Sequence, residues 1–313
     1  LLETQFQFPG KTTIYRGKVR DVYTIEESVM VIVTTDRISA FDVILPRPIP
    51  YKGQVLNQTA QFFLESSKEI VPNHLISVPH PNVCISKKCE PYPIEMVVRG
   101  YLCGHAWRTY KSGERVICGV QMPEGLKEND PFPEPIVTPT TKSKIGHDID
   151  VSETEIIRSG LIPGDEYAEL KRFAIQLYED GAKKVQERGL ILADAKYEFG
   201  LHKHEILLID EIHTPDSARY FYADGFEDRQ KQGLPQVQLS KEFVREWLMA
   251  QGFQGQDGVQ VPEMPDTFVS EVSQKYIHLF ETITGNSFQR HSYDHLSESI
   301  FEATVSELKR LGL

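Results

Sequence analysis

The sequence predicts a mixed fold of β-strands and α-helices that is divided into two lobes. Alternating residues followed by an apolar run over residues 14–35 predict an N-terminal β-hairpin or meander. Apolar residues recur at helical spacing over residues 165–188 and stop before a glycine, which predicts a long helix. The proline-bearing segment Glu90–Pro93 is typical of a hinge. We therefore expect a mostly β lobe over residues 1–93 and an α+β lobe over residues 94–313.

The composition is that of an ordinary globular protein. The chain has 313 residues, of which 40% are hydrophobic and 25% are charged. A net charge of -11 argues against a general nucleic-acid or membrane surface, although it leaves room for a local basic pocket. No apolar run is long enough to span a membrane, and the first residues lack a signal-peptide pattern. The 4 cysteines have no CxxC spacing, which favours reduced thiols and a cytoplasmic location.

The same rules predict the remaining elements. They are a helix over residues 53–67, short strands over 74–99, a loop over 121–165, a helix that begins with a capping box at Ser152, a helix capped by Ser240, and a final helix from about Thr267 to Ile283. In the loop, His147 and Asp148 with Asp150 form a candidate metal-ligand set. A polar loop leading into a helix is the favoured interpretation of that segment.

A basic turn lies inside the first strands. Arg16, Lys18 and Arg20 surround Gly17, which indicates a bend or a close approach of the backbone to another group. A bound phosphate and a solvated strand face explain this pattern equally well from local sequence.

Charged residues interrupt the apolar segment 190–219, where a plain core strand would not carry them. If the first part is extended, Asp194, Lys196 and Glu198 share one face, because side chains alternate along a strand. Buried charges are costly unless they are paired or bound to a metal. Arg219 follows the second apolar run and suits phosphate or carboxylate. Both an active-site floor and a purely structural charge network fit these residues.

The position of the hairpin tip decides which carboxylates meet. With the tip at Lys203 and His204, antiparallel pairing sets Glu198 opposite Ile209 and therefore next to Asp210. Two carboxylates at this point are good ligands for Mg²⁺, which typically takes one or two carboxylates together with nucleotide phosphates. A tip one residue earlier or later would separate them.

Ordered sequence blocks then carry a family resemblance. The blocks are GKVRDVY (17–23), TTDRISAFDV (34–43), EMVVRGYL (95–102), EPIVTPTTK (134–142), LILADAKYEFG (190–200) and LIDEIHTPDSAR (208–219). Together they resemble the SAICAR synthetases, or phosphoribosylaminoimidazole-succinocarboxamide synthases, of purine biosynthesis. The resemblance runs through nearly the whole chain and is far more specific than any single motif.

The resemblance implies an α+β fold of two lobes, similar to kinases and ATP-grasp proteins, with ATP in the cleft between the lobes. It implies a ligase that joins the carboxylate of carboxyaminoimidazole ribonucleotide to the amine of L-aspartate. ATP becomes ADP and phosphate in that reaction, with Mg²⁺ as the cofactor. We expect a cytoplasmic monomer or small homo-oligomer without nucleic-acid or membrane partners.

The resemblance implies roles for individual residues. It places Lys18 and Arg20 over the ATP phosphates, and the segment before Glu95 against adenine. It assigns Mg²⁺ to Glu198 and Asp210.

The resemblance also implies the residues that contact the other substrates. Arg99, Ser217 and Arg219 match binders of the phosphate and carboxylate of the ribonucleotide. Asp194 and Lys196 match polar residues that face the reacting groups. Asp194 is our candidate general base for the amine of aspartate, and Lys196 is a candidate to stabilise charge on the transferring phosphoryl group.

Loop residues and one departure from the family pattern complete the expected site. Asp36, Ser39 and Lys142 belong to loops that would close over the substrates. Many family members have Gly-Ser after VVRGYL, with the serine on the substrate phosphate, whereas this chain has Gly104 and His105. A histidine also donates hydrogen bonds to phosphate, and an ordinary loop histidine is the alternative.

Two other functions share parts of this pattern. A small-molecule kinase would have the metal carboxylates and the basic turn, but it would transfer phosphate to a hydroxyl group. A nucleotide-sensing module would lack the metal carboxylates, whereas Glu198 and Asp210 are both present.

Overall fold

The computed structural model describes residues 1–142, 149–256 and 258–313, and it has an α+β fold. The chain forms two compact units. Unit 1 comprises Leu1–Glu65, His74–Cys89 and Ser240–Leu313, and unit 2 comprises Ser66–Asn73 and Glu90–Leu239.

The strands are β1 (Lys11–Arg16), β2 (Arg20–Ile25), β3 (Val29–Thr34), β4 (Ser39–Ala40), β5 (Val43–Ile44), β6 (Leu75–His80), β7 (Val83–Lys87), β8 (Glu90–Pro91), β9 (Ile94–Tyr101), β10 (Val116–Ile117), β11 (Val120–Gln121), β12 (Pro131–Thr141), β13 (Ile149–Asp150), β14 (Leu190–His202), β15 (Glu205–Ile209) and β16 (Ala218–Tyr222). The helices are α1 (Lys52–Ser66), α2 (Gly104–Lys111), α3 (Glu153–Arg158), α4 (Gly164–Gln186), α5 (Phe226–Gln232), α6 (Glu242–Ala250), α7 (Asp266–Thr284) and α8 (Leu296–Leu311).

Unit 1 contains the predicted meander as part of an antiparallel sheet in the order β1-β2-β3-β7-β6. The predicted turn after β2 is confirmed, since Glu26 and Glu27 have φ angles of 45° and 58°. Such left-handed pairs join twisted antiparallel strands without splaying them. Inside β2, the buried carboxylate of Asp21 accepts a hydrogen bond from Arg37 Nη2 at 2.8 Å. The charge on this strand is therefore paired.

Unit 1 ends in a helix that our sequence prediction missed. The predicted final helix corresponds to α7, and α8 follows it. Leu296, Ile300 and Leu308 of α8 are buried in one cluster with Tyr23 and Val31 of the sheet. Their spacing on one helical face is the signal that identifies α8. The helix stabilises the sheet by covering its apolar face.

The compact units differ from a simple division at residue 93. Unit 2 begins its main segment at Glu90, close to the predicted boundary. Residues 240–313 pack in unit 1, because α7 and α8 bury their apolar faces against residues of the N-terminal segment. Tertiary packing, which linear order does not reveal, decides this assignment.

Unit 2 is built around β14. One edge of this strand pairs with β9 and β8, and the other edge pairs with β16 and β15. The sheet then continues from β9 through β12 to β13. Backbone hydrogen bonds on both edges hold β14 in a fixed register, so the direction of each of its side chains is set.

One face of β14 packs into the core, as predicted. Ala193, Ala195 and Tyr197 are all buried. Helix α4 covers this face, and Tyr178 donates a hydrogen bond to the backbone oxygen of Leu192 at 2.7 Å. Charged side chains at alternate positions therefore lie on the other face of the sheet.

Several smaller predictions can be compared with the structure. The capping box at Ser152 is confirmed, since its hydroxyl accepts from Glu155 N and Glu155 accepts from Ser152 N. His147 and Asp148 lie outside the described residues. The cysteines Cys84, Cys89, Cys103 and Cys118 are free thiols. Within the described ranges, no helix has both the length and the apolar character needed to cross a bilayer.

The packing of α8 leads to a stability prediction. We expect Ile300→Ala to lower the free energy of unfolding by about 2–5 kcal/mol, because it removes a fully buried side chain and leaves a cavity. Urea unfolding followed by circular dichroism measures this change. The exposed neighbour Ser299→Ala is the control and should change stability by less than about 0.5 kcal/mol. Equal stabilities of the two variants would contradict the packing of α8.

Candidate active site

A row of charged residues lies on one face of β14 and its neighbours. The backbone pairing sets Asp194 opposite Arg99 of β9 on one side and opposite Arg219 of β16 on the other. Directly opposed residues bring their side chains together. Lys196 and Glu198 follow on the same face. The predicted grouping of these charges on one face is thus confirmed.

The first group, the arginine cluster, consists of Arg99, Arg219 and Asp194. Asp194 Oδ2 accepts hydrogen bonds from Arg99 Nη1 at 3.1 Å and from Arg219 Nη1. Arg99 Nε also donates to Thr138 Oγ1 at 2.9 Å. Asp194 and Arg99 are buried. Two guanidinium groups against one carboxylate leave a net charge of +1, which suits an anionic ligand.

A glycine permits the position of Arg219. A Cβ atom at Gly104 would lie 2.4 Å from Arg219 Nη2, closer than real contacts allow. Gly104 also has a φ angle of +56°, in the region that glycine adopts most readily. The start of α2 therefore lies directly against the guanidinium group.

The second group, the lysine–carboxylate cluster, surrounds Lys196. Lys196 Nζ donates to Glu95 Oε1 at 2.9 Å and to Glu198 Oε1. Lys142 Nζ donates to the other oxygen of Glu198, Oε2. Lys196 lies opposite Val97, so Glu95 is its diagonal neighbour on β9. Four side chains, from the adjacent strands β9 and β14 and from the residue that follows β12, thus form one network.

The cluster keeps its charged forms although it is partly buried. Burial alone would lower the pKa of Lys196, but attraction to Glu198, Glu95 and Asp210 outweighs it and raises that pKa well above its usual value. Burial would likewise raise the pKa of Glu198, yet attraction to Lys196 and Lys142 holds it well below the usual range. Both Lys196 and Glu198 are therefore charged at neutral pH.

The predicted hairpin register is confirmed. Glu198 pairs with Ile209, and Lys203 and His204 form the tip with φ angles of 50° and 69°. Asp210 follows Ile209 directly, and its charge contributes to the electrostatic field at Lys196. The two predicted metal carboxylates therefore lie at the same end of the hairpin.

The lysine–carboxylate cluster, counted with Asp210, fits a divalent cation. Glu95, Glu198 and Asp210 carry three negative charges against two from Lys142 and Lys196, which leaves -1. Among the described residues, no group of 3 or more His, Cys, Asp or Glu side chains is arranged to hold a metal by itself. Two carboxylates completed by phosphate and water oxygens are the usual ligands of Mg²⁺. Glu198 and Asp210 would hold the ion in this way.

Two sites of opposite charge thus share one strand. Asp194 and Glu198 are four residues apart on β14, which separates their Cα atoms by about 13 Å. The net-positive arginine cluster lies at one end of this interval and the net-negative cluster at the other. An anionic molecule and a bound cation can therefore be held on the same face.

A buried histidine, His213, holds the loop between β15 and β16 in place through hydrogen bonds. His213 Nε2 shares a hydrogen bond of 2.6 Å with Tyr197 Oη, and Tyr220 Oη donates to the backbone oxygen of His213 at 2.5 Å. A Cβ at Gly181 would lie 2.1 Å from the His213 ring, so α4 also approaches closely. Burial lowers the pKa of His213 to about 3, and Lys184 adds to this effect.

Ser217 belongs to the same loop. Its hydroxyl accepts a hydrogen bond from Thr214 N at 3.2 Å, and its backbone oxygen accepts from Lys196 N at 2.9 Å. It is buried. In this structure Ser217 therefore connects the loop to β14.

His105 lies beside the arginine cluster at the start of α2. Its Nε2 shares a hydrogen bond of 2.7 Å with Asp150 Oδ2, and that bond lowers the pKa of Asp150. Both side chains are partly exposed. The position next to Gly104 is compatible with a role toward an anion held by Arg219.

The predicted site residues of unit 1 lie in different structural elements. Lys18 pairs with Asp42, and about half of its side chain is exposed. Arg20 pairs with Thr34 in the sheet, and Ser39 is buried in β4. These residues occur in the turn and strands near the start of the unit.

Asp36 accepts hydrogen bonds that support the fold of unit 1. Its Oδ1 accepts from Gly53 N at 3.0 Å, and its Oδ2 accepts from Tyr293 Oη at 3.0 Å. The carboxylate is buried and holds the start of α1.

Sequence reasoning missed several contributors to the site. It gave Glu95 only a nearby backbone role, whereas its carboxylate holds Lys196. The alternation of Glu95, Val97 and Arg99 on one strand face is the signal that identifies this role. Thr138, Gly104 and His213 act through long-range contacts, for which the local sequence carries no signal.

The buried His213 predicts an acid-sensitive fold. Its pKa falls from 6.5 to about 3 on folding, so below pH 6.5 the unfolded chain takes up a proton that the folded chain does not. The free energy of unfolding should decline as pH falls from 6.5 toward 3. We expect His213→Gln to reduce that slope by up to about 1.4 kcal/mol per pH unit, as measured by urea unfolding.

The exposed His204→Gln at the hairpin tip is the matched control, because it removes a histidine without disturbing the loop. It should leave the slope unchanged. An unaltered slope in His213→Gln would show that His213 does not remain neutral in the folded protein.

The chain is similar to known proteins along nearly its whole length. Residues 13–262 match the family model described as SAICAR synthetase. The chain is 54% identical over 311 residues to a phosphoribosylaminoimidazole-succinocarboxamide synthase of Bacteroides thetaiotaomicron, and the match covers 99% of each chain.

Solved structures have the same fold. The SAICAR synthase from Saccharomyces cerevisiae, complexed with SAICAR, superimposes with a TM-score of 0.77 at 33% identity, covering 89% of this chain and 96% of that one. A SAICAR synthetase in complex with ADP gives a TM-score of 0.68 at 25% identity, covering 89% and 100%. The matched family model and the full-length relatives establish that this chain belongs to the SAICAR synthetase family of enzymes.

Proposed function

We propose that the protein joins the carboxylate of carboxyaminoimidazole ribonucleotide to the amine of L-aspartate, and that ATP becomes ADP and phosphate. The observation that carries this proposal is the pair of oppositely charged clusters on one face of β14. The solved relatives that hold SAICAR and ADP support the same substrate classes.

The arginine cluster is the proposed site for the ribonucleotide anion. Arg99 and Arg219 are both held by the single carboxylate of Asp194. Fixed guanidinium groups bind phosphate or carboxylate without first losing side-chain freedom. His105 and Ser217 adjoin this region and are proposed to contact the same ligand.

The reaction needs an activated carboxylate, because an oxide is a very poor leaving group. We propose that a carboxylate oxygen of the ribonucleotide attacks the γ-phosphorus of ATP, and that ADP leaves. The ammonium of Lys196 lies at the centre of the second cluster. There it would stabilise the charge shared between the phosphoryl group and the carboxylate.

Glu198 and Asp210 are the proposed ligands of Mg²⁺. When bound, the ion would offset negative charge on the phosphates of ATP. In unit 1, Lys18 and Arg20 are proposed to contact phosphates of ATP, and the half-exposed side chain of Lys18 supports such a contact. The backbone before Glu95 is the proposed adenine contact, and Asp36, Ser39 and Lys142 are the proposed loop residues around the substrates.

The amine of aspartate then attacks the acyl carbon. A C–N bond forms, the C–O bond to the phosphoryl group breaks, and phosphate leaves with the oxygen that came from the carboxylate. The nitrogen loses a proton, and Asp194 is the proposed acceptor. Asp194 also orients Arg99 and Arg219 through its hydrogen bonds. Alignment of three substrates supplies much of the rate enhancement.

Dependence on aspartate distinguishes this ligase from a small-molecule kinase. We expect sustained ADP release in a coupled assay only when ATP, the ribonucleotide and L-aspartate are all present. The amine is needed to complete each turnover. Omitting aspartate should reduce steady-state ADP release to background, and succinate, which lacks the amine, is the matched control.

A kinase would release ADP at the same rate with and without aspartate. That outcome would contradict the proposed ligase function.

The acyl phosphate step predicts a transfer of oxygen. With ¹⁸O in both oxygens of the ribonucleotide carboxylate, we expect one labelled oxygen in each phosphate released, because one carboxylate oxygen leaves with phosphorus. Mass spectrometry or ³¹P NMR of the product phosphate measures the label. Unlabelled phosphate after complete turnover would rule out the acyl phosphate.

A further inference from the structure

We propose that Lys142 is the counter-ion that a divalent cation replaces on Glu198, while Glu95 keeps Lys196 in place. This inference rests on the proposed role of Glu198 and Asp210 in binding Mg²⁺. It adds an exchange of partners within the lysine–carboxylate cluster.

Both oxygens of Glu198 are already engaged. Lys196 bonds Oε1, and Lys142 bonds Oε2. The Glu198 side chain is only 12% exposed, so its charge has little access to water. A metal ion that approaches Glu198 therefore competes with these ammonium groups for the carboxylate.

The two lysines differ in the carboxylates that would still bind them once Glu198 binds a metal ion. Lys196 has a second carboxylate in Glu95 at 2.9 Å, and Asp210 also attracts it. Within the described part of the chain, the ammonium of Lys142 bonds to Glu198 alone. The Lys142 side chain is 30% exposed, so water can solvate its ammonium once it leaves. Lys142 is the partner that is easier to release.

Charge balance favours the same exchange. The cluster of Glu95, Glu198, Asp210, Lys142 and Lys196 has a net charge of -1, and a divalent cation changes it to +1. Departure of the Lys142 ammonium returns it to zero. Like charges repel strongly where water is partly excluded, so the neutral arrangement is preferred.

The exchange links metal binding to substrate binding. The backbone of Lys142 stays anchored, since its amide donates to the backbone oxygen of Pro93 at 3.0 Å. The released ammonium then becomes available to an anionic substrate. The metal ion and that substrate therefore each bind the protein more tightly when the other is already bound.

Mn²⁺ binding to the full-length protein tests this exchange. The dissociation constant is obtained from the electron paramagnetic resonance signal of free Mn²⁺, without nucleotide, for the wild type, Lys142→Gln, Lys142→Arg and Lys203→Gln. We expect Lys142→Gln to bind Mn²⁺ several-fold more tightly, because its side chain does not compete as a cation. Lys142→Arg keeps the charge and should resemble the wild type.

Lys203→Gln is the matched charge control, because it removes the same charge from the exposed hairpin tip. It should leave Mn²⁺ binding unchanged. Repeating the titration in about 1 M salt separates direct replacement from distant electrostatics, because that salt screens charges beyond about 3 Å. The gain in Lys142→Gln should persist there.

Glu198→Gln separates failure of the inference from failure of the metal site. If Glu198→Gln weakens Mn²⁺ binding but Lys142→Gln fails to strengthen it, the exchange is wrong and the metal site stands. If Glu198→Gln leaves binding unchanged, or if no variant binds Mn²⁺, both the metal site and the exchange are wrong.

Discussion

The pairing of β14 along both of its edges is the constraint on which the site depends. It places Asp194 between Arg99 and Arg219, and it places Lys196 diagonally to Glu95. A largely buried strand carries these charges because each of them has an opposite charge across the ladder. The other face of the strand is apolar and packs on α4. Because side chains alternate along a strand, the apolar residues face the core and the charged residues face the proposed site.

The separation of opposite charges along one strand suits this charge network to ligands. The three side chains of the arginine cluster sum to +1, and the lysine–carboxylate cluster counted with Asp210 sums to -1. The excess charges are of opposite sign and lie about 13 Å apart along one strand. An anionic substrate and a metal-bound nucleotide can therefore be held without either neutralising the other's site.

Rigid support comes from groups that touch no proposed ligand. His213 joins the loop before Arg219 to Tyr197 on the core face of β14, and Gly181 lets α4 approach that ring. Gly104 leaves room for the guanidinium of Arg219. These contacts limit the freedom of the arginine cluster, which preorganises it for binding.

The sequence by itself determined the first strands, helices α1, α4 and α7, the common face of Asp194, Lys196 and Glu198, and the hairpin register, because these follow from local periodicity and turn geometry. It did not determine β12, which lies inside the segment predicted as a loop over residues 121–165, or the N-cap of α6, which is Lys241 and not the predicted Ser240. Only the tertiary structure decided that Glu95 pairs with Lys196, that Lys142 reaches Glu198, and that α8 packs in unit 1. Those contacts join residues that are distant along the chain. They arise from strand order and the burial of whole faces, which local sequence patterns do not encode.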